Sequence, residues 1–249
     1  MTDKRYVFID ADSILYTSAY GDRVRDAEVL KRYDRKIDYI KVQSFADEVF
    51  VAVKGYNNFR EKLDPEYKAQ RKPIEENMRR KLKMVHEYAI NQGAVRCDGW
   101  EADDQVRAWA WEATQEGIPW VLAGIDKDLL QFPGTHFNYG GTKDKPLSEE
   151  KKWKFIDQKE GDYRFACQLL TGDTTDNIFG IRGIGPVKAK KELLGLSKKR
   201  MMERVIELYK PEYGTLWSDK LYKNCNLIYM RRWLDDTFQY TTWLKDEPV

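Results

Sequence analysis

Acidic residues stand where apolar runs of this chain end. Asp10 closes the run at residues 6–9, and Asp126 and Asp128 follow the run at residues 120–123 within GIDKD. In an open parallel sheet, ligands gather beyond the carboxyl ends of the strands, so acids from different strands can meet there. The pattern predicts one acidic site shared by several strands.

Two further acidic groups lie at other predicted element boundaries. Glu101, Asp103 and Asp104 open a predicted helix in EADDQ, and Asp173 and Asp176 lie in GDTTDN. Helix capping explains one or two acids in a first turn, because carboxylates favour the free N–H groups there. A turn or an N-cap likewise explains GDTTDN taken alone, so neither group is specific without the others.

So many carboxylates cannot share a pocket as bare ions, since like charges raise each other's pKa and oppose folding. Mg²⁺ prefers oxygen ligands and keeps several waters, and two such ions ~3.5–4 Å apart can activate a water and stabilise the leaving oxygen of a phosphodiester. The three cysteines and two histidines are scattered, without a C-x-x-C pair. Neither a zinc site nor a disulfide framework is indicated. We expect two or more Mg²⁺ ions, with Mn²⁺ as a substitute.

A glycine-rich turn followed by lysines is the most specific local signal. It reads GIRGIGPVKAKK at residues 180–191, where Gly183 and Gly185 permit a close backbone approach and Pro186 suits a first helical turn. Free N–H groups there can bind a phosphate oxygen. The predicted contacts to nucleic acid come from Gly183, Ile184, Gly185, Lys188, Lys190 and Lys191. An ordinary glycine-rich helix–turn–helix is the alternative, and the spacing excludes a P-loop.

Charge distribution is more informative than the net charge of +2. Residues 54–83 hold ten Lys/Arg against five Asp/Glu, and residues 182–200 hold seven against one. Two basic patches suggest a polyanion track, although solvated helix faces explain any single run equally simply. The sequence has neither a cleavable apolar leader nor a membrane-length apolar run. We therefore expect a cytoplasmic protein without a membrane partner.

Alternating apolar runs and helix-like stretches predict an α/β fold. Strands are expected at 6–9, 49–53, 94–97 and 120–123, with helices at 27–46, 75–92 and 101–116. Beyond about residue 160 the pattern is helical, at 163–170, 186–194, 198–209 and 215–233. We divide the chain into an α/β domain, 1–160, and a helical region, 161–249.

Five segments, in order along the chain, resemble the flap-endonuclease and 5′-3′ exonuclease superfamily. They read FIDAD, DPEYKAQRKP, EADD, GIDKDLLQF and GDTTDNIFGIRGIGPVKAKKELL. This superfamily includes the 5′-nuclease domain of bacterial DNA polymerase I, and the compact chain looks most like its bacteriophage members. The resemblance implies a PIN-like domain with a mostly parallel central sheet flanked by helices. It also implies a C-terminal helical region with a helix–three-turn–helix (helix–hairpin–helix) DNA-binding element.

The resemblance also implies roles for individual residues. It assigns metal binding, directly or through water, to Asp10, Glu101, Asp103, Asp126, Asp128, Asp173 and Asp176, with Asp104 as a neighbouring candidate. It places Tyr67, Lys68 and Arg71 in an arch segment at about 54–92. There Lys68 steers the scissile phosphate, Arg71 neutralises charge, and Tyr67 stacks on a base or, alternatively, packs against a helix. The hairpin would hold the duplex together with a monovalent cation, K⁺.

One departure from the family pattern concerns the second central strand. Family members usually carry an Asp at its end, but here VAVKG places Val53 near that position. Asp12, two residues after Asp10, is the candidate that compensates, and we count it among the metal-binding acids. The departure affects the geometry of one metal rather than the reaction class.

The implied activity is Mg²⁺-dependent hydrolysis near the 5′ end of DNA, or of an RNA primer on DNA, in replication or repair. The implied partners are duplex DNA with a 5′ end, flap or RNA primer, and replication proteins. The resemblance further suggests a monomer, encoded by a phage and working in a bacterial cell. Alternatives are a non-catalytic DNA-structure-binding protein of the same fold, a PIN-type ribonuclease and, least supported, a scaffold protein.

Overall fold

A six-stranded sheet forms the centre of the first half of the molecule. The computed structural model describes residues 4–141 and 145–245. The strands are β1 (Tyr6–Asp10), β2 (Glu48–Lys54), β3 (Val95–Cys97), β4 (Trp120–Ala123), β5 (Gly134–Phe137) and β6 (Trp153–Ile156). They lie in the order β3-β2-β1-β4-β5-β6, all parallel except β6, which pairs antiparallel with β5. The carboxyl ends of β2, β1 and β4 are therefore adjacent.

Helices cover both faces of this sheet. They are α1 (Asp12–Ala19), α2 (Asp26–Ser44), α3 (Phe59–Leu63), α4 (Glu76–Asn91), α5 (Ala102–Gln115) and α6 (Glu149–Lys152). On β1, Val7 and Ile9 join the core shared with α1, α2 and α4, whereas Phe8 joins the core under α5. Burial on both faces explains why the central strands read as uninterrupted apolar runs.

The helical region encloses a third core. It contains α7 (Gln158–Thr171), the two-residue strands β7 (Gly172–Asp173) and β8 (Ile178–Phe179), α8 (Pro186–Leu193), α9 (Lys198–Tyr213) and α10 (Trp217–Ile228). After α10 the chain turns back, and Phe238 and Trp243 pack into the same core. Within the described ranges, no helix is both apolar and long enough to cross a membrane.

The expected fold class is confirmed, with local differences. The sequence patterns did not predict α1, α6, β5 or β6, and α10 ends at Ile228 rather than near residue 233. Within the predicted arch segment at 54–92, α4 buries Val85 and Ala89 in the core that it shares with the sheet. The connection at about 55–75, which includes α3, passes beside the ends of the strands.

A buried ion pair joins this connection to both halves of the molecule. Arg60, 2% exposed, donates to both carboxylate oxygens of Asp104 at 2.5 and 2.9 Å. It also donates to the carbonyls of Leu227 and Tyr229, each at 2.8 Å. Asp104 in turn accepts the backbone amide of Arg231 at 2.8 Å. The pair thus fixes α3, the start of α5 and the end of α10 together.

We expect Arg60→Leu to destabilise the protein by about 3–5 kcal/mol, because removal of one partner leaves the other charge buried without compensation. Urea unfolding followed by circular dichroism measures the change. Arg80→Leu is the matched control, since the Arg80–Asp26 pair is equally bidentate but exposed. Equal stability of the two variants would contradict the structural role of Arg60.

Candidate active site

Asp10 and Asp12 lie together beyond the ends of β1 and β2. Asp12 donates its backbone amide to Asp10 Oδ1 at 3.2 Å, and its own Oδ1 accepts the backbone amide of Lys54 at 2.8 Å. Val53, at the position where the family pattern expects an acid, is fully buried in the core. Asp12 therefore brings a carboxylate to the end of the strand that lacks one.

Electrostatic interactions link Asp10 to acids from other elements. Burial and the charges of Asp12, Asp126 and Glu101 together raise the pKa of Asp10 to about 8, against a backbone hydrogen bond that lowers it. Asp10 ends β1, Asp12 begins α1, Asp126 follows β4 and Glu101 precedes α5. Carboxylates distant in sequence are thus close enough at one edge of the sheet for their charges to interact.

Glu101 and Asp103 differ in charge state although both stand at the start of α5. Burial raises the pKa of Glu101, but the cations Arg60 and Lys68 outweigh burial and hold it at about 2. Burial also raises the pKa of Asp103, and the neighbouring charges of Glu101 and Asp104 hold it well above its ordinary value. One acid of the pair is thus ionised, while the other favours a proton.

Lys68 and Arg71 reach the acids from the 55–75 connection. Lys68 Nζ lies 2.5 Å from Glu101 Oε1 and 3.6 Å from Asp176 Oδ2, and Arg71 donates to Asp176 Oδ1 at 2.8 Å. Burial lowers the pKa of Lys68, but Glu101, Asp176 and Asp103 together raise it, so its ammonium group stays charged. The segment places two cations among the acids.

Asp126, Asp128, Asp173 and Asp176 form the other side of the site. Asp126 Oδ1 accepts the amide of Asp128 at 2.9 Å, and Asp173 Oδ1 accepts the amide of Asp176 at 3.4 Å. Lys127 Nζ lies 3.3 Å from Asp173 Oδ2. Burial and the charge of Asp126 raise the pKa of Asp128 to about 6.

Two predicted site residues have different surroundings from those expected. Asp104 is fully buried, and its oxygens are engaged by Arg60 and by the amides of Glu101 and Arg231. It supports the site and is not among the metal ligands proposed below. Tyr67 is 6% exposed, and its hydroxyl donates to Glu101 at 2.9 Å and Asp176 at 3.1 Å. Its ring packs in the third core, which favours the alternative of packing against helices over stacking on a base.

The donor set fits an oxygen-seeking divalent ion, although the spacing is wide. In the part of the chain that the structure describes, no three Asp, Glu, His or Cys side chains come close enough to hold one ion together. Tyr67 joins Glu101 to Asp176, and Gln168 joins Asp128 to Asp173. Carboxylates spaced in this way suit an ion such as Mg²⁺, which keeps water between itself and several of its ligands.

The glycine hairpin forms the approach to α8. A methyl group on Gly183 (φ +74°) or Gly185 would meet no atom within 4 Å, so both backbones face open space. Ile184 is buried in the third core, so its side chain anchors the hairpin. Lys188, Lys190 and Lys191 are exposed around it. The first amides of α8 have no partner inside the helix.

The sequence gives no sign of the roles of three important residues. Arg60 lies in a basic run that reads as a solvated face, Gln131 is a neutral position of GIDKDLLQF, and Gln168 reads as an ordinary polar position of a helix. Each acts through a partner at least 37 positions away. Pairs of this separation become visible only in the folded chain.

Comparison with known proteins identifies the family. The family model of the 5′-3′ exonuclease N-terminal resolvase-like domain matches residues 5–160. The chain belongs to this 5′-3′ exonuclease family. DNA polymerase I of Rhizobium leguminosarum is 34% identical over 142 residues, 54% of this chain and 14% of the polymerase. The 5′-3′ exonuclease of Mycoplasma genitalium is 27% identical over 175 residues, 68% of this chain and 54% of that protein. The chain spans about half of the second relative and far less of the first.

Solved structures share the exonuclease fold over most of the chain. Bacteriophage T5 5′-exonuclease with bound zinc has a TM-score of 0.68 at 16% identity and covers 90% of this chain and 89% of its own. The catalytic core of Rad2 in complex with DNA substrate has a TM-score of 0.51 at 16% identity, covering 88% and 69%. At these identities the likeness concerns the fold alone.

We expect Asp10→Asn to raise the melting temperature without divalent ions. The folded chain holds a proton on Asp10 between about pH 4 and 8 that the unfolded chain releases, so the parent loses stability as pH rises through this window. If the substitution removes about 1 kcal/mol of this destabilisation, Tm rises by about 2–4 °C for a chain of this size. The gain should be largest near pH 8 and vanish near pH 4.

Thermal melts in EDTA across this pH range measure the effect. Asp26→Asn is the control, because the hydrogen bond from Arg80 lowers the pKa of Asp26 and its removal should bring no gain. A pH-independent difference between Asp10→Asn and the parent would show that the carboxylate is not under strain.

Proposed function

We propose that the chain is a Mg²⁺-dependent 5′-3′ exonuclease and flap endonuclease. It would hydrolyse phosphodiesters near the 5′ end of DNA, or of RNA primers on DNA, during replication or repair. The observation that carries the proposal is the electrostatic contact of Asp10 with Asp12, Asp126 and Glu101, which come from separate elements. That convergence has no structural benefit on its own, since it raises the free energy of the folded chain.

The proposed ligands, direct or through water, lie on both sides of the site: Asp10, Asp12, Glu101, Asp103, Asp126, Asp128, Asp173 and Asp176. Mg²⁺, or Mn²⁺ in its place, would supply an activated water and charge stabilisation for the leaving 3′-oxygen. The family's T5 neighbours carry metal ions in their structures, with DNA as well in one flap endonuclease complex. These contents are consistent with the proposal for this chain.

Lys68 and Arg71 would hold the scissile phosphate. Both are charged groups at the edge of the acid site, and Arg71 is 53% exposed and able to turn toward a ligand. A phosphate bound between them would replace the carboxylates as their hydrogen-bond partner. Its charged oxygens would form charge-assisted hydrogen bonds with both side chains. Their role is to orient the phosphate and to offset the charge that develops during hydrolysis.

The hairpin would bind the duplex backbone at a fixed distance from the acids. The open backbone at Gly183 and Gly185 gives room for phosphate oxygens, and Lys188, Lys190 and Lys191 add sequence-independent attraction. The Gly183 carbonyl accepts Lys188 Nζ at 3.3 Å, so it already faces a cation. A K⁺ ion at this carbonyl belongs to the same proposal.

The setting of the activity is proposed on the family resemblance. We propose a monomer that acts in the cytoplasm of a bacterial cell, on duplex DNA carrying a 5′ end, flap or RNA primer. A phage origin and contacts with replication proteins complete the proposal.

Asp126→Asn should lose cleavage of a 5′-flap duplex by on the order of 10²-fold or more, because a negative charge that holds the ion is removed. Its affinity for the same DNA should stay near that of the parent. Denaturing gels measure cleavage in Mg²⁺, and fluorescence anisotropy in EDTA measures binding. Equal loss of both would argue against a catalytic role for Asp126.

The same assay separates the alternatives. If the parent protein binds the flap duplex but does not cut it, the chain is a non-catalytic DNA-binding protein. The valine at position 53, in place of an acid, favours this alternative. A preference for single-stranded RNA would instead indicate a PIN-type ribonuclease. Mapping the products on flap, nicked and hybrid substrates divides exonuclease from endonuclease activity.

Asp12→Asn tests compensation for the missing acid of β2. The amide oxygen can still accept the Lys54 amide, so only the charge is lost. We expect cleavage to need a higher Mg²⁺ concentration, by roughly 10-fold or more. A Mg²⁺ titration identical to that of the parent would end the compensation hypothesis.

Lys188→Ala should weaken DNA binding equally across sequences and reduce the salt slope by about one. The reason is that one phosphate contact and its released counterion are lost. Lys4→Ala is the control, since Lys4 is 57% exposed and precedes β1, at the end of the sheet opposite to the acids. A sequence-selective loss of affinity would contradict backbone binding by the hairpin.

A further inference from the structure

Two glutamines connect acids on the same side of the site. Gln168, on α7, places its Nε2 3.0 Å from Asp128 Oδ2 and 3.5 Å from Asp173 Oδ2. Gln131, at the end of the 3₁₀ helix Lys127–Gln131, donates its Nε2 to Gln168 Oε1 at 2.6 Å. A single side-chain amide thus spans two carboxylates and is itself held by another amide.

We propose that Gln168, oriented by Gln131, is a positioning residue that sets the separation of Asp128 and Asp173 for the divalent ion. The inference rests on the proposed function and deepens it. Asp128 follows β4 in the sheet half, whereas Asp173 ends β7 in the helical region. Gln168 therefore holds acids from the two halves of the molecule in register.

Only one orientation of Gln168 satisfies both of its ends. A reversed amide would place its carbonyl oxygen against two carboxylates and its NH₂ group against the NH₂ group of Gln131. Gln131 is 9% exposed, so water cannot readily replace that partner. The NH₂ group of Gln131 thereby fixes the orientation in which the NH₂ group of Gln168, not its carbonyl oxygen, faces the acids.

The backbone of Gln168 strengthens the link to Asp173. α7 ends at Thr171, and the amide of Gly172 donates to the carbonyl of Gln168. Gly172 has φ +69°, and a methyl group there would lie 2.2 Å from the Ile178 carbonyl oxygen. Backbone and side chain of Gln168 together fix the angle at which the chain leaves α7 and presents Asp173.

A neutral donor is suited to this position because it attracts both carboxylates without competing with the ion for charge. Lys127, which contacts the same oxygen of Asp173, is 74% exposed and free to leave. A buried cation between the two acids would remain and neutralise them. The amide keeps the acids together and leaves their charge available.

Gln168→Met tests the inference, because it keeps the side-chain volume and removes the amide. Isothermal titration with Mn²⁺, without DNA, should show affinity about 10–100-fold weaker than that of the parent. Binding of a 5′-flap duplex in EDTA should be unchanged, and half-maximal cleavage should need correspondingly more Mg²⁺. Gln168→Asn keeps the amide but is one carbon shorter, and it should weaken Mn²⁺ binding as Gln168→Met does. It serves as the test if Gln168→Met does not fold.

Two further variants separate positioning from general packing. Gln158→Met is the matched control, since Gln158 lies on the same helix and bonds Asp162 Oδ1 at 2.8 Å, away from the acids. It should bind Mn²⁺ like the parent. Gln131→Met should weaken Mn²⁺ binding in the parent but add nothing to Gln168→Met, because it acts only through that residue.

Parent-like Mn²⁺ affinity in Gln168→Met, or additive losses in the double variant, would overturn the inference while leaving the proposed nuclease intact. A parent that binds Mn²⁺ but cuts no substrate would overturn the proposed function, while the Mn²⁺ comparison still decides the role of Gln168. A parent that binds no divalent ion would overturn both.

Discussion

The buried contact between Arg60 and Asp104 is the constraint on which the active site depends. A guanidinium group removed from water must have its hydrogen bonds satisfied, and here a carboxylate and two backbone carbonyls satisfy them. Because Asp104 also binds the amide of Glu101, the same contact sets the first turn of α5. The acids that face the site are therefore oriented by an ion pair that does not itself reach the ligand.

The charges of the site are only partly balanced within the protein, by cations of the connection that passes over it. Asp10 and Asp103 are crowded by like charge, and the pKa of each is raised by burial and then by neighbouring acids. Glu101 is the exception because Arg60 and Lys68 lie beside it. The site thus combines one ionised acid, held by cations, with acids that favour a proton. A divalent ion would be needed to ionise these acids.

Sequence patterns predicted the acids that follow strands and could not predict their supporting contacts. Asp10 and Asp126 are identifiable because a parallel sheet brings its strand ends to one edge. Asp104 looks identical to its neighbour in EADD, and only the direction of each side chain on α5 distinguishes a buried partner of Arg60 from a site acid. The two alternatives for Tyr67 stayed open for the same reason, and Gln168 depends on partners whose proximity arises from tertiary packing.

The carbonyls of Leu227 and Tyr229 give the C-terminal segment a part in shaping the candidate site that its distance in sequence conceals. They come from the end of α10, well outside residues 5–160 that carry the family signature. A fragment cut at that boundary would retain most of the site's acids yet leave a guanidinium group in the interior without two of its acceptors. The two halves therefore depend on each other for stability. A helical region taken from a relative should function in this chain only if it places backbone carbonyl oxygens at the same two points.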